Sequence, residues 1–251
     1  MPKLVILGSA HAIPDESHEN THMALVGNAG TLLIDCPGNP LVRLRRAGMD
    51  VSALTDLVVT HFHPDHVSGF ALLLMDLWLV GRKHPLAVHG LDYTVDRLEQ
   101  LMELYGWSTW PNFFPVTFHR LPELDMAPVT ETEEWRIFSS PVNHLIPNIG
   151  LRVEFPNSQR ALAYSSDTEP CDQMVRLAQG VEVLIHESAG AAQGHTDASQ
   201  AGEIAQKAGA QRLILIHYPI GEFKDDSLVA RARKTFDGPV RLAEDFMELE
   251  F

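Results

Sequence analysis

Three imidazoles and a carboxylate fall within six residues at His61-Phe62-His63-Pro64-Asp65-His66. Chance placement of this H-x-H-x-D-H pattern in a chain with 13 histidines has odds of roughly two in a thousand. Such residues are costly to pack, because each must be paired or kept in water. The cluster follows Asp56 to Thr60, a short β-branched apolar run of the kind that forms a buried strand. It precedes Ser68-Gly69 and the largely apolar stretch Phe70 to Val80. The polar residues therefore sit on a loop at a strand's C-terminal end, where layered α/β folds place ligand chemistry. His61 and His63, two apart, point the same way from an extended segment. Asp65 and His66 come after Pro64 has turned the chain and face a neighbouring position. The spacing suits two metal ions, and donors without thiolate suit Zn, Mn or Fe.

Composition narrows the setting. Apolar residues make up 45% and charged residues 21% of 251, as in an ordinary globular protein. Met1-Pro2-Lys3 runs directly into a strand, with no signal-peptide pattern, and Phe70 to Val80 is too short to span a bilayer. Cys36 and Cys171 form no framework, so the expected setting is the reducing cytoplasm, without membrane association. A formal charge of −14 argues against nucleic acid as a partner, since that affinity rests on basic surface.

Strand-like runs recur at Leu4–Leu7, His22–Val26, Thr31–Ile34, Asp56–Thr60, Leu86–His89 and Val116–Leu121, then at Trp135–Ser140, Gly150–Glu154, Ala161–Tyr164, Val181–His186 and Leu213–His217. Helical patterns lie at Pro40–Ala47, Ser68–Val80, Asp92–Tyr105, Glu169–Gln179, Asp197–Ala208 and Ser227–Phe236. Hairpins first, then alternation with helices, predict an α/β (α+β) chain of two mixed sheets packed together with helices outside. No linker or composition break divides residues 1–251, which are read as a single domain.

Further polar residues follow strand ends: His144 after Pro141-Val142-Asn143, Asp167 after Tyr164-Ser165-Ser166, and His217 after Ile216. Taken singly, Asp167 is as good a helix cap as a ligand and His217 could be a core histidine. Jointly they supply a third ligand for each ion and a bridging carboxylate.

These motifs make the chain resemble the metallo-β-lactamase superfamily, more narrowly its ribonuclease Z-like phosphodiesterase branch. Leu7-Gly8-Ser9-Ala10, Leu33-Ile34-Asp35-Cys36, Thr60 to His66, His144-Leu145-Ile146-Pro147, Ser166-Asp167-Thr168, His186-Glu187, Gly194-His195-Thr196 and Leu213 to His217 carry the resemblance across the whole chain. It implies a four-layer αβ/βα sandwich with its site at the sheet edges. It also implies two divalent ions, Zn first and Mn second. His61, His63 and His144 would hold one; Asp65, His66 and His217 the other; Asp167 would bridge them. A hydroxide between metals roughly 3.5–4 Å apart would be the nucleophile, oriented or deprotonated by Asp65. His195 resembles the branch's general acid, with Glu187 polarising it. Asp35 resembles a carboxylate behind the ligands. His18 and His22, with His11 in the same N-terminal loop, are candidates for substrate contact, against the weightier reading of solvated or structural histidines. The resemblance further implies a homodimer.

The substrate expectation turns on departures from the branch. Enzymes of the branch that process tRNA carry a long gripping arm, which in bacterial forms lies between the equivalents of His144 and Asp167; here 23 positions separate the two. The Arg-Asn that usually follows the first glycine motif is Glu19-Asn20. A small or cyclic phosphodiester is therefore the expected substrate. A ribonuclease Z-type tRNA 3′-end endonuclease stands as the alternative, then a carbon-ester or lactone hydrolase or a non-catalytic metal-binding sensor.

Overall fold

The computed structural model describes residues 1–251. The strands in chain order are β1 (Lys3–Gly8), β2 (His22–Gly27), β3 (Gly30–Ile34), β4 (Leu54–Val58), β5 (Leu86–Leu91), β6 (Val116–Leu121), β7 (Ala127–Glu131), β8 (Arg136–Val142), β9 (Asn148–Phe155), β10 (Arg160–Tyr164), β11 (Val183–Glu187), β12 (Arg212–Ile216), β13 (Val240–Leu242) and β14 (Glu248–Glu250). The helices are α1 (Pro40–Arg46), α2 (Pro64–Val67), α3 (Phe70–Leu79), α4 (Asp92–Leu104), α5 (Asp172–Leu177), α6 (Ala198–Ala208) and α7 (Leu228–Ala232). Two seven-stranded sheets result, in the orders β14-β1-β2-β3-β4-β5-β6 and β13-β12-β11-β10-β9-β8-β7. Each starts antiparallel and turns parallel, at β3–β4 in the first and β10–β11 in the second. The expected sandwich of two mixed sheets flanked by helices is the architecture observed.

Alternation along the strands explains the layers. On β1 and β4, Leu4, Ile6 and Val58 face the interior between the sheets, while Val5, Leu7 and Leu57 pack outward against α1, α3 and α4. The inner core reaches the chain end, where Phe155 and Phe251 stack with centroids 4.4 Å apart. On the second sheet, helix α6 is fixed by a capping box in which Asp197 accepts from Gln200 N at 2.9 Å and Asp197 N donates to Gln200 Oε1 at 2.9 Å.

Departures from the expected elements have local causes. The helix expected from Glu169 begins only at Asp172, because Glu169 is held in an antiparallel bridge to Asn143, its N donating to Asn143 O at 2.7 Å, and the chain is still extended at Cys171. Asp167 is thus not a helix cap. The helix expected over Ser227–Phe236 is the shorter α7. Strands β7, β13 and β14 were not expected. The last two are three residues each, and β7 carries Pro128 beside a register shift, as an outermost strand can.

One buried ion pair joins distant parts of the chain. Asp245 accepts from Ser9 Oγ at 2.7 Å and Glu19 N at 2.9 Å, and it pairs with Arg43, whose guanidinium also donates to Leu7 O. The two side chains are 11% and 6% exposed. Removing one partner of such a pair leaves the other charge buried alone. Asp245→Ala is therefore expected to lower stability by about 3–5 kcal/mol, read as a shifted denaturant midpoint at unchanged slope.

Candidate metal centre

The residues expected to hold metal, with Asp35 and Glu187, lie at or just after the C-terminal ends of strands, whereas His195 lies in the loop before α6 and His22 begins β2. Asp35 follows β3, the H-x-H-x-D-H loop follows β4, and His144 follows β8. Asp167 follows β10, Glu187 ends β11, and His217 follows β12. Three of these turns force a non-glycine residue into the left-handed region: Asp35 (φ 60°), Ser166 (φ 52°) and His217 (φ 51°). Each conformation costs of the order of 1–3 kcal/mol and persists where surrounding bonds over-determine it. His217 N donates to Ser9 O at 2.9 Å. Ser166 Oγ donates to Asn148 Oδ1 at 3.0 Å, and Asn148 Nδ2 donates to Asp167 O at 2.7 Å.

The side chains converge as two groups. His61 Nε2 and His144 Nε2 lie 3.1 and 3.0 Å from His63 Nδ1. In the second group, His66 Nε2 is 3.6 Å from Asp65 Oδ2, and His217 Nε2 is 4.0 Å from the same oxygen. Asp167 Oδ2 borders both, at 3.9 Å from His61 Nε2, 3.5 Å from His66 Nε2 and 3.3 Å from His217 Nε2.

Ring orientation is set from behind. Thr60 Oγ1 gives its proton to Asp35 Oδ2 at 2.9 Å and accepts from His61 Nδ1 at 3.1 Å. His66 Nδ1 donates to Asp35 Oδ2 at 2.8 Å, and His144 Nδ1 donates to Gly194 O at 2.7 Å. Each of these three imidazoles therefore turns its Nε2 inward, the atom that metal ligation needs. His66 Nε2 and Asp167 Oδ1 are buried with no hydrogen-bond partner. Orphaned polar atoms of this kind are rare, and a divalent cation would satisfy them. The donor set thus fits metal ions in both groups.

Electrostatics agree. Burial holds His61, His63 and His144 below the ordinary imidazole value, and holds His217 down to about 4. Their lone pairs are free at neutral pH. Burial opposes charge on His66 too, but Asp167 and Asp35 override it and hold its proton well above the usual range. Burial would raise Asp167, yet His217 and His66 keep it well below an ordinary carboxylate. A proton on His66 thus stands where a cation would, and a cation must displace it.

Beside the two groups, His195 Nδ1 donates to Glu187 Oε1 at 2.9 Å. Glu187 is fully buried and also accepts from Thr168 N (3.0 Å), Thr196 N (3.2 Å) and Ala189 N (2.9 Å). Burial pushes Glu187 up to about 7, against these donors. His195 is raised despite its own burial, through its bond to Glu187. Its ring stacks on His217 with centroids 5.9 Å apart and meets His144 edge-on at 5.1 Å.

The N-terminal histidines separate. His22 does not meet the expectation of substrate contact: it is fully enclosed, its Nδ1 is 2.8 Å from Asn20 O, and burial lowers it to about 3. His18 is part-exposed and bound to Asp15 Oδ1 at 3.0 Å, with its ring against Tyr218. His11 is the one beside the donors, with its ring edge-on to His217 at 6.5 Å and its Nε2 buried without a partner. Residues the motifs did not single out include Asn148 and the carbonyl of Gly194; backbone acceptors leave no mark in residue types.

Asp35→Asn keeps a residue that tolerates positive φ and removes only the charge. It is expected to weaken metal binding 10–100-fold. Competition against a chromophoric chelator checks this, with circular dichroism confirming the fold. Apparent affinity should rise with pH up to the raised value of His66, well above the ordinary imidazole range, because the metal must displace that proton.

A family model described as a beta-lactamase superfamily domain matches residues 31–218. A ribonuclease Z from Methanothermobacter thermautotrophicus is 26% identical over 305 aligned positions, covering 100% of this chain and 97% of that one. Among solved structures, the metallo-beta-lactamase fold protein YhfI from Bacillus subtilis is similar at TM-score 0.84 and 21% identity, covering 100% of this chain and 99% of that one. The short form of human tRNase Z follows at 0.80 and 22%, covering 99% and 98%. A diphosphatase from the PhnP family has 0.76 and 18%, covering 100% and 98%. These likenesses carry the fold. The chain belongs to the beta-lactamase superfamily and is a metal-dependent hydrolase of the ribonuclease Z-like kind.

Proposed function

We propose that the chain is a dinuclear-metal phosphodiesterase acting on a small or cyclic phosphodiester. The observation that carries this reading is the position of Asp167 Oδ2, within 3.9 Å of ring nitrogens from both donor groups, with the Glu187–His195 pair alongside. Zn is the metal expected first and Mn second, since six imidazole or carboxylate donors and a shared carboxylate suit both.

When bound, two divalent ions supply charge on the phosphoryl oxygens and acidify a water enough for attack. His61, His63 and His144 would hold one ion and Asp65, His66 and His217 the other, with Asp167 available to both. Asp65, at 14% side-chain exposure, also meets the attacking water and takes its proton. His195 protonates the leaving oxygen from Nε2, because its Nδ1 is committed to Glu187. Asp35 fixes His66 and Thr60 from behind.

Small size is supported by what separates His144 from Asp167. Strands β9 and β10 fill that interval, joined only by residues 156–159. The alignment with the archaeal ribonuclease Z spans 305 positions against 251 residues here, so 54 positions lack a counterpart in this chain. The formal charge of −14 points the same way. The second reading, tRNA 3′-end processing, draws on the names of that relative and of human tRNase Z.

The test is metal content per chain, with turnover of bis(p-nitrophenyl) phosphate on the same sample. Two ions and turnover are expected, with a loss of about 10³-fold or more in Asp65→Ala and Asp167→Ala. Activity retained in both would overturn the reading, and cleavage of a precursor tRNA in preference to small diesters would favour the second. His195→Ala should lower kcat about 10²–10⁴-fold. Because Glu187 raises His195, the acid stays protonated to higher pH, and activity falls as pH rises through that value. Glu187→Gln removes the raising charge and should move the alkaline limb of the kcat profile to lower pH.

A further inference from the structure

A cavity of about 470 Å³ opens beside the metal centre, between the loop Asn143–Pro147 and the Gln193–Gly194 turn, with Glu169 at its side. Its frame is continuous with the site. Glu169 N donates to Asn143 O at 2.7 Å, Gly194 N donates to Glu169 Oε1 at 2.8 Å, and His144 Nδ1 donates to Gly194 O at 2.7 Å. His144 lines the cavity and meets the His195 ring edge-on with centroids 5.1 Å apart, so the cavity lies one ring away from the group assigned to protonate the leaving oxygen. Its volume falls in the range of small-molecule pockets.

The lining has a definite chemistry. Leu145, Ile146 and Pro147 give apolar wall; Asn143, Gln193 and Glu169 give hydrogen-bonding groups. No lysine or arginine lines it. Glu169 has one oxygen engaged by Gly194 N and makes no ion pair, so an anion placed against it would meet a carboxylate with no lysine or arginine in the lining to offset it.

We infer that this cavity receives the leaving group, and that it selects an uncharged alcohol bearing hydrogen-bond donors, as a sugar or nucleoside does, over one that continues into a further anionic group. The inference rests on the phosphodiesterase reading and names its substrate class. In the step concerned, the water oxygen forms a bond to phosphorus and the bond from phosphorus to the leaving oxygen breaks. The proton of His195 goes to that oxygen, giving a phosphomonoester and a free alcohol. Glu169 and Gln193 act on the departing alcohol, not on the phosphoryl group.

The experiment uses the metal-loaded full chain and methyl 4-nitrophenyl phosphates, in which only the aryl group can leave. Its ring carries either a hydroxymethyl or a carboxylate substituent. After correction for the difference in spontaneous hydrolysis, kcat/KM should favour the hydroxymethyl diester at least about tenfold. In Glu169→Gln, which keeps an oxygen for Gly194 N, that ratio should fall below about threefold. A ratio between two substrates cancels any general loss of activity in the variant. Should Glu169→Gln not fold, Gln193→Lys places a cation at the exposed rim and should turn the preference toward the carboxylate. Equal rates in the native chain, or a ratio unmoved by both variants, would overturn the inference while the phosphodiesterase reading stands. No turnover of any diester would overturn that reading, and the inference with it.

Discussion

Asp167 is the carboxylate on which the centre depends. It is 2% exposed, and burial alone would neutralise it. His217 and His66 hold it ionised, and it in turn holds the His66 proton. A buried anion with three imidazole nitrogens within 3.9 Å is tolerable only if cationic charge resides beside it. In the metal-free chain the imidazole proton meets that need; divalent ions meet it better, with several oriented donors each. The same interaction thus keeps the apo fold intact and leaves the site ready for metal.

That arrangement imposes a demand on the backbone. Side chains from six strand ends must meet at a point, and the turns that aim them include Asp35, Ser166 and His217 at positive φ. Thr60 and His66 hold Asp35, Asn148 holds Ser166, and Ser9 holds His217. The supporting groups come from both sheets and from the loop after β1. The inner core between the sheets is therefore what keeps the two donor groups in register. Arg43 and Asp245 extend this support, tying the loop after β1 to the segment before β14.

Much of this was legible in the sequence, for identifiable reasons. H-x-H-x-D-H after an apolar run specified both the chemistry and its place at a strand end. Short apolar runs located most of the strands, and the apolar stretch from Phe70 located α3. Three of the four edge strands were not legible: β13 and β14 are too short to show a pattern, and β7 is interrupted by Pro128. The helix expected at Glu169 starts later because a long-range bridge to Asn143 holds Glu169 extended, which residue types do not show. Residue type alone could not sort His11, His18 and His22. All three lie between the end of β1 and the start of β2, yet one borders the donors, one is part-exposed and one is sealed beneath.

The question of substrate separates two kinds of likeness. Under the proposed reading, the donors with Glu187 and His195 would serve any phosphodiester of the right shape. Grip on a long polyanion is a different property, because it needs cationic surface extending away from the site. This chain has 33 acidic against 19 basic residues. Between β9 and β10 it spends only four residues on the turn. The cavity next to His195 continues the same pattern at short range, with a carboxylate where a phosphate-bearing strand would need a cation. Charge at long range and lining at short range thus both favour a small ester whose leaving group is uncharged. That is the physical reason to separate this chain's substrate from that of the relatives it resembles in fold.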